Sequence, residues 1–365
     1  MREALDEGHL KPEDFSLRRL AETLVPCGAE WVRSLDPQEQ GRVLLEAGDG
    51  IDATAFLNVT GAIVSAKILE AYRNEAFAAS RLVATVPTQL DGERIPGAGR
   101  IAKTNLEVHP GMPYPHVGFG EDYVETPHTA KHGLIVPVTR EAIFFDRTHV
   151  VLQRAAQVGE ILGLQKEKRI LDCIIGAVRC YKHNGTEYDT YYAAGDGGPW
   201  VNAVAGNELV DWTNVDRAER LFAEMVDPTT GDPIVIRPNT VLVPTALRHA
   251  ARRVFAATHI SFQASGSPTA VTAPNPLGDY RVFDSRLLVQ RATAAGTPAD
   301  EAAKWWFLGD FRRAFAYMEN WPITVTRSLP GSEADFTQDI VVRFKASERG
   351  APAVLDPRYV VRSTG

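Results

Sequence analysis

His128-Thr-Ala-Lys-His132 sets two imidazoles four residues apart, the outline of a helical zinc pair. The Glu that would follow the first His as general base is missing. The surrounding Gly and Pro residues favour extended chain, where positions i and i+4 lie roughly 13 Å apart, too far to share a metal. Both are expected to be exposed arm histidines. Gly195-Asp-Gly-Gly has no GK[ST] after it and no strand–helix frame around it, so it reads as a turn rather than a phosphate cradle. There is no Gly-x-Ser-x-Gly, and no Ser or Cys beside a His in a strand–turn–helix frame. Trp305-Trp306-Phe307 could line a ligand cage, but adjacent bulky residues before a strand fit core and interface anchors better. Arg248, Arg252 and Arg253 make a basic face on one helix, suited to solvent or to inter-subunit ion pairs. Cys27, Cys173 and Cys180 have no metal-ligand spacing; on one continuous helix Cys173 and Cys180 would stand roughly 10 Å apart, too far for a disulfide. Three reduced thiols are expected. No catalytic, cofactor or metal site emerges, and the chain does not read as an enzyme.

The elements that would position these residues fall in a definite order. Residues 1–50 read as short helices split by Pro12, Pro26 and Pro37, one of them over Asp14–Leu24 with Phe15, Leu17, Leu20 and Leu24 on one face. Asp52–Asn74 is a stronger helix with a 3.6-residue apolar period. From Thr85 to Pro137 the chain is rich in Gly, Pro and His (His109, His116, His128, His132) and too poor in large apolar residues for a core. A plain loop of that length inside a compact protein is improbable. An extended two-stranded arm, marginal in water alone, makes sense against another subunit. Residues 147–181 give the longest helical signal: Asp146 is the expected N-cap, Val151, Ala155, Val158 and Leu162 one stripe, and Leu171, Ile174, Ile175 and Val178 its resumption. The polar run Gln165–Arg169 interrupts it. His183-Asn-Gly and Gly195-Asp-Gly-Gly-Pro199 bracket a Tyr-rich stretch (Tyr188, Tyr191, Tyr192) that reads as a hairpin. Asp211–Trp321 reads as an α/β unit: a helix over Asn214–Met225, a strand over Thr240–Val243, a helix over Thr245–Ala257, a polar flexible stretch at Gln263–Asn275, then YRVFDS and WWFLGDF as strands. The tail returns to strands at Ile323, Asp339–Ala346 and the final DPRYVVR.

Composition narrows the class. The chain of 365 residues is 44% hydrophobic and 23% charged, long enough for two or more cores. The longest apolar runs, such as Ile143–Phe145 and Val150–Leu152, are far short of a bilayer, and the acidic N-terminus has no signal-peptide core, so no membrane association is expected. Of the net charge of −7, residues 1–50 hold −5, with 11 acidic against 6 basic side chains. An acidic chain without a basic stripe is a poor sequence-specific nucleic-acid binder. The acidic segment suits a simple solvated arm, or one that repels nucleic acid or meets a basic partner.

The order of helical arm, long two-stranded arm, spine helix, α/β unit and β return resembles the α+β major capsid protein fold of tailed phages, the Hong Kong 97 type, nearest to its Mu-like branch. TAKHGLIVPVTREAIFFD looks like the outgoing strand of the long arm and its short helix. DWTNVDRAERLFAEM followed by RPNTVLVPTALRHAARRVF is similar to the opening of the family's A-domain, and NPLGDYRVFDSRLL with WWFLGDFRRAFAYMENWPITVTRS to its late strands. DFTQDIVVRFKASERGAPAVLDPRYVV resembles the closing strand pair. The resemblance covers residues 50–365 and implies an N-terminal arm at 1–50, a linking helix at 51–84, an E-loop at 85–137, a P-domain with the spine helix at 138–210, an A-domain at 211–321 and P-domain closing strands at 322–365.

It implies a self-assembling head subunit in an icosahedral virion shell around double-stranded DNA, built in the bacterial cytoplasm. It also implies scaffold, portal and decoration partners, with no cofactor. Candidate assembly-interface residues are Arg100, Lys103 and Glu125 in the arm, Arg248 on the α/β unit, and Arg312, Arg313 and Arg343 near Asp310 and Asp339. Some family members crosslink an E-loop Lys to an Asn; Lys103 has no assignable Asn partner. The same fold builds encapsulin nanocompartments, and a cargo-peptide groove formed with the N-terminal helix would favour that alternative.

Overall fold

The computed structural model describes residues 11–12, 15–25, 28–34, 53–96, 123–227, 231–263, 270–328 and 339–365. The chain divides into two units, one of residues 1–75, 130–166 and 321–349, the other of 76–129, 167–320 and 350–365. The long helix Thr148–Ile174 and the strands Phe315–Arg327 and Ile340–Val354 contribute residues to both.

In the first unit, the helix Leu17–Leu24 starts at Ser16, whose hydroxyl accepts the Arg19 amide at 3.2 Å and so satisfies a first-turn donor. The expected start at Asp14 thus moves three residues along. Leu17 and Ala21 pack into a core with Val64 and Ile68 of helix Ala53–Tyr72, Ile143, Val151, Ala155 and Leu162, and Val342 and Phe344. Gly159 lets the two long helices approach: a Cβ there would collide with the Ile68 carbonyl oxygen and stand 3.0 Å from the Ala71 Cβ. Asp146 does not cap the long helix. Its backbone is left-handed (φ 48°), and its carboxylate accepts the hydroxyls of Ser16 at 2.8 Å and Thr148 at 2.7 Å, tying the N-terminal helix to the start of the long one. Strand Ala130–Thr139 lies at a sheet edge beside Ile340–Val354, with Val136 and Val138 turned into the core.

The second unit is organised by a five-stranded sheet in the order Arg281–Ser285, Thr240–Pro244, Trp306–Gly309, Val360–Ser363, Ala203–Val204. Its strands Thr240–Pro244 and Trp306–Gly309 are buried at every position because both faces of the sheet are covered. Val241, Val243, Trp306, Leu308 and Val361 face one core with Val215, Ala218 and Phe222 of helix Trp212–Glu224 and Val254 and Phe255 of helix Arg248–Phe255. Leu242, Phe307 and Val360, one residue out of step, face a second core with Ile170, Leu171, Cys173 and Ile174 from the end of the long helix. A smaller sheet runs Arg94–Pro96, Tyr123–Glu125, Tyr181–His183, Thr186–Tyr188. Its last two strands form the expected hairpin around Asn184-Gly185, both at positive φ (49° and 80°), as a type I′ turn requires.

Several expectations change here. The long helix stops at Ile174 in a Schellman turn: Gly176 is left-handed (φ 76°), its amide bonds Cys173 O at 3.2 Å, and Ala177 N bonds Asp172 O at 2.9 Å. Val178 therefore leaves the apolar stripe and is 51% exposed. Cys180 is not on the helix at all; the chain reverses and brings it against the same core as Cys173. Part of the stretch expected to be flexible forms the antiparallel strands His259–Gln263 and Ala270–Pro274. A helix at Leu288–Ala294, not foreseen, is bound to the long helix by the bidentate pair Arg291–Asp172, both bonds 2.7 Å. The closing segment divides: Phe315–Arg327 and Ile340–Val354 are neighbours, whereas Val360–Ser363 pairs with Trp306–Gly309 in the five-stranded sheet.

Candidate assembly interface

The strands on either side of residues 97–122, the middle of the segment expected to form an arm, lie in the second unit. Arg94–Pro96 pairs antiparallel with Tyr123–Glu125, in the register Arg94↔Glu125, Ile95↔Val124 and Pro96↔Tyr123, and residues 97–122 run between them. Arg100 and Lys103 lie on that stretch, outside the described residues. Glu125 is committed within its own chain. Its carboxylate meets Lys182 Nζ at 2.5 Å and Arg94 Nε at 3.2 Å. The Lys182 bond holds the Glu125 carboxyl below its ordinary range, and Glu125 in turn raises the Lys182 ammonium. The Arg94 guanidinium also lies 4.5 Å from the Tyr123 ring centre. These contacts link the three strands Arg94–Pro96, Tyr123–Glu125 and Tyr181–His183 in their register.

Around that base, Asp91 accepts the backbone amide and hydroxyl of Thr129 at 2.7 and 2.9 Å. His128 Nδ1 sits 3.1 Å from the Asp91 carbonyl. His132 lies on the edge strand Ala130–Thr139. Among the described residues no group of three or more His, Cys, Asp or Glu could hold a metal ion, and no helix is long and apolar enough to cross a membrane.

The remaining candidate cations are dispersed. Arg248 reaches Asp284 at 3.6 Å. Arg313 reaches Asp310 at 3.6 Å and lies 5.6 Å from the Tyr359 ring centre. Arg312, one residue before it on the four-residue helix Phe311–Ala314, is exposed. Arg343 is half-buried in its strand, where its amide bonds the Ser328 hydroxyl at 3.0 Å. Arg313 and Asp310 share a cleft of about 430 Å³ with Arg237, Asn239, Tyr359 and Val235, the last 68% exposed. Arg237 escaped the sequence reading because it stands alone before Pro238, with no periodic face to mark it.

Exposed apolar side chains add a second signal. Leu134 (36%) and Ile135 (54%) stand on the edge strand of the first unit, an unusual place for apolar groups on a free sheet margin. A cleft of about 510 Å³ in the same unit is lined by Phe15 from the N-terminal segment and by Lys67, Thr148, His149, Leu152 and Gln153.

The sequence reading also missed Glu167. It lies in the polar run that interrupts the apolar stripe of the long helix, yet it is 1% exposed. Its two oxygens accept the Ala79 amide at 2.7 Å and the Ser80 amide and hydroxyl at 2.8 Å each. It thereby caps the short helix Ala79–Leu82, which leads into strand Ala84–Pro87. Burial drives the Glu167 carboxyl above its ordinary value despite those donors.

Residues 123–363 match the model of a family described as phage capsid protein. No curated protein matches the chain. Among solved structures the chain is similar to the capsid of a native GTA particle, with 12% identity, 80% of this chain and 90% of that one covered, and a TM-score of 0.47. It is also similar to the capsid of cyanophage Pam1 (12%, 80% and 92%, 0.48) and to the holo-SrpI encapsulin of Synechococcus elongatus (11%, 80% and 87%, 0.44).

Proposed function

The chain belongs to the phage capsid protein family, and from that premise we propose that it is the major shell-building subunit, self-associating into an icosahedral head around double-stranded DNA. The family match over residues 123–363 carries this reading. The arm rooted at Arg94–Pro96 and Tyr123–Glu125 supports it, as do Leu134 and Ile135 on an edge strand, since both offer surface that a neighbouring copy would cover. In this reading the chain works by assembly rather than catalysis. Residues 85–137 clasp a neighbour, residues 1–50 order against another subunit or the inner wall, and Arg100, Lys103, Arg248, Arg312, Arg313 and Arg343 form rim contacts. Portal, scaffold and decoration proteins are its partners, and assembly takes place in the host cytoplasm before release as a virion.

One observation favours a second reading. The cleft lined by Phe15 and the long helix is a groove that a cargo peptide of an encapsulin-type nanocompartment could occupy. Negative-stain microscopy of the expressed protein, followed by nuclease treatment and analysis of particle contents, separates the two. Shells enclosing nuclease-protected DNA, formed with the neighbouring packaging genes, support the head reading. Shells that retain a specific enzyme and no DNA support the nanocompartment, and failure to form shells overturns both.

A further inference from the structure

The five-stranded sheet ends in the strand Arg281–Ser285, which pairs in parallel with Thr240–Pro244 from Arg281↔Thr240 to Ser285↔Pro244. The Arg281 amide bonds the Asn239 carbonyl at 3.0 Å, so Arg281, Phe283 and Ser285 turn their backbone groups toward that neighbour. The amides and carbonyls of Val282 and Asp284 therefore face outward, and among the described residues no strand takes them up. Val282 and Phe283, which pack against the two different cores, are only half-buried at this margin. Arginines flank the same strand on both faces. Arg248 reaches Asp284 at 3.6 Å, and Arg252 follows one turn on along the helix. Arg81 lies 5.5 Å from the Phe283 ring centre. Arg281 and Arg286 stand at the two ends of the strand, and the guanidiniums of Arg252, Arg281 and Arg286 are exposed and unpaired among the described residues. The carboxylates on the strand and the turn before it are Asp279 and Asp284, the latter already engaged by Arg248.

We infer that this edge takes residues 35–50 of a second copy of the chain as an added, extended strand, an inference that rests on the shell-subunit reading. Charges on an edge strand guard it against stray pairing. A predominantly cationic guard is also selective, because it repels basic strands and attracts acidic ones. Residues 35–50, LDPQEQGRVLLEAGDG, set Asp36, Glu39, Glu46 and Asp49 against Arg42 alone. They also carry the apolar run Val43-Leu44-Leu45, which suits the half-buried Val282 and Phe283. The segment lies outside the described residues, between the helices Gly28–Ser34 and Ala53–Tyr72 of the first unit. Extended at roughly 3.3 Å per residue, it is long enough to run out to a neighbour and back. Backbone bonds to Val282 and Asp284 would hold the strand, and the arginines would select its sequence.

The test uses the full-length subunit and a fluorescein-labelled peptide of residues 35–50, followed by anisotropy. Saturable binding that weakens with added salt is expected. Arg281→Glu combined with Arg286→Glu should weaken it about tenfold or more, with circular dichroism showing that the variant is folded. Should that variant fail to fold, Arg252→Glu reads the same surface from the neighbouring helix. A Leu44→Pro peptide, which keeps every charge but loses a backbone donor, should also bind about tenfold more weakly. No peptide binding, full binding by the charge-reversed subunit or by the proline peptide, or tighter binding of a single-stranded oligonucleotide of like charge would each overturn the inference. Shell formation by the wild-type chain is scored separately by microscopy. Peptide binding without shells overturns the head reading and leaves the strand edge assigned, whereas shells without peptide binding overturn this inference alone.

Discussion

Replacing Glu167 with Ala leaves two backbone amides, of Ala79 and Ser80, without their acceptor. A buried donor left unsatisfied costs about 1–3 kcal/mol. The Ala79 amide is fully buried, whereas Ser80 is half-buried and its hydroxyl can turn to water. Removing the carboxylate also removes its burial penalty, which offsets part of the loss. The expected net destabilisation is about 2–4 kcal/mol, large beside a domain stability of about 5–15 kcal/mol. Glu167→Gln keeps the shape, but its NH2 must face an amide donor, and a loss of about 1–2 kcal/mol is expected. Denaturant unfolding of the unassembled subunit measures both. The pH dependence has a definite sign. Because burial raises the folded carboxyl above its ordinary value of 4.5, the folded state binds this proton more tightly than the unfolded chain. The contribution of Glu167 is therefore fully present below that ordinary value and declines as pH rises through the raised one. The advantage of wild type over Glu167→Ala should narrow with rising pH across that window. An Ala variant as stable as wild type, or an advantage that widens with pH, would refute the argument.

Other perturbations test the frame that carries the interface. Ile174→Asp places a carboxylate at a fully buried position and should give insoluble protein; a soluble, assembling variant would mean that this stripe does not face the core. Gly159→Leu forces a side chain against the Ile68 carbonyl and Ala71, and should lower stability by about 1–3 kcal/mol or more in thermal melts of the subunit. Deleting Ile95–Glu121 should leave a folded, soluble subunit that forms no stable shells by sedimentation, and normal particles would remove the arm from the assembly contacts.

Much of this frame was legible because it obeys short-range rules. Asn184-Gly185 announces its own turn, whereas the caps at Ser16 and Asp211 were passed over and the helices they start were read from Asp14 and Asn214. The strand Thr240–Pro244 was legible as a strand, but not its place in a two-faced sheet. The consecutive apolar residues Val241-Leu242-Val243 have no period to say which look which way. Only the packing shows Val241 and Val243 facing one core and Leu242 the other.

The misreadings share a cause: a local signal was extended past the residue that ended it. The apolar period of the long helix runs on through Val178, but one glycine in the left-handed region outweighs it, because Gly176 closes the last turn at no steric cost where other residues would be strained. That single stop turns Val178 outward and brings Cys180 back against the core that holds Cys173. Glu167 was misread for the complementary reason. A charged residue in a polar run is expected in water, and its true environment depends on a helix start more than eighty positions earlier in the chain, at Ala79. The candidate interface shows the same limit. Arg94, Glu125 and Lys182 are distant in sequence, and only strand register makes them one cluster. Glu125, read singly as a candidate contact with a neighbour, is paired within its own chain to Lys182 and Arg94.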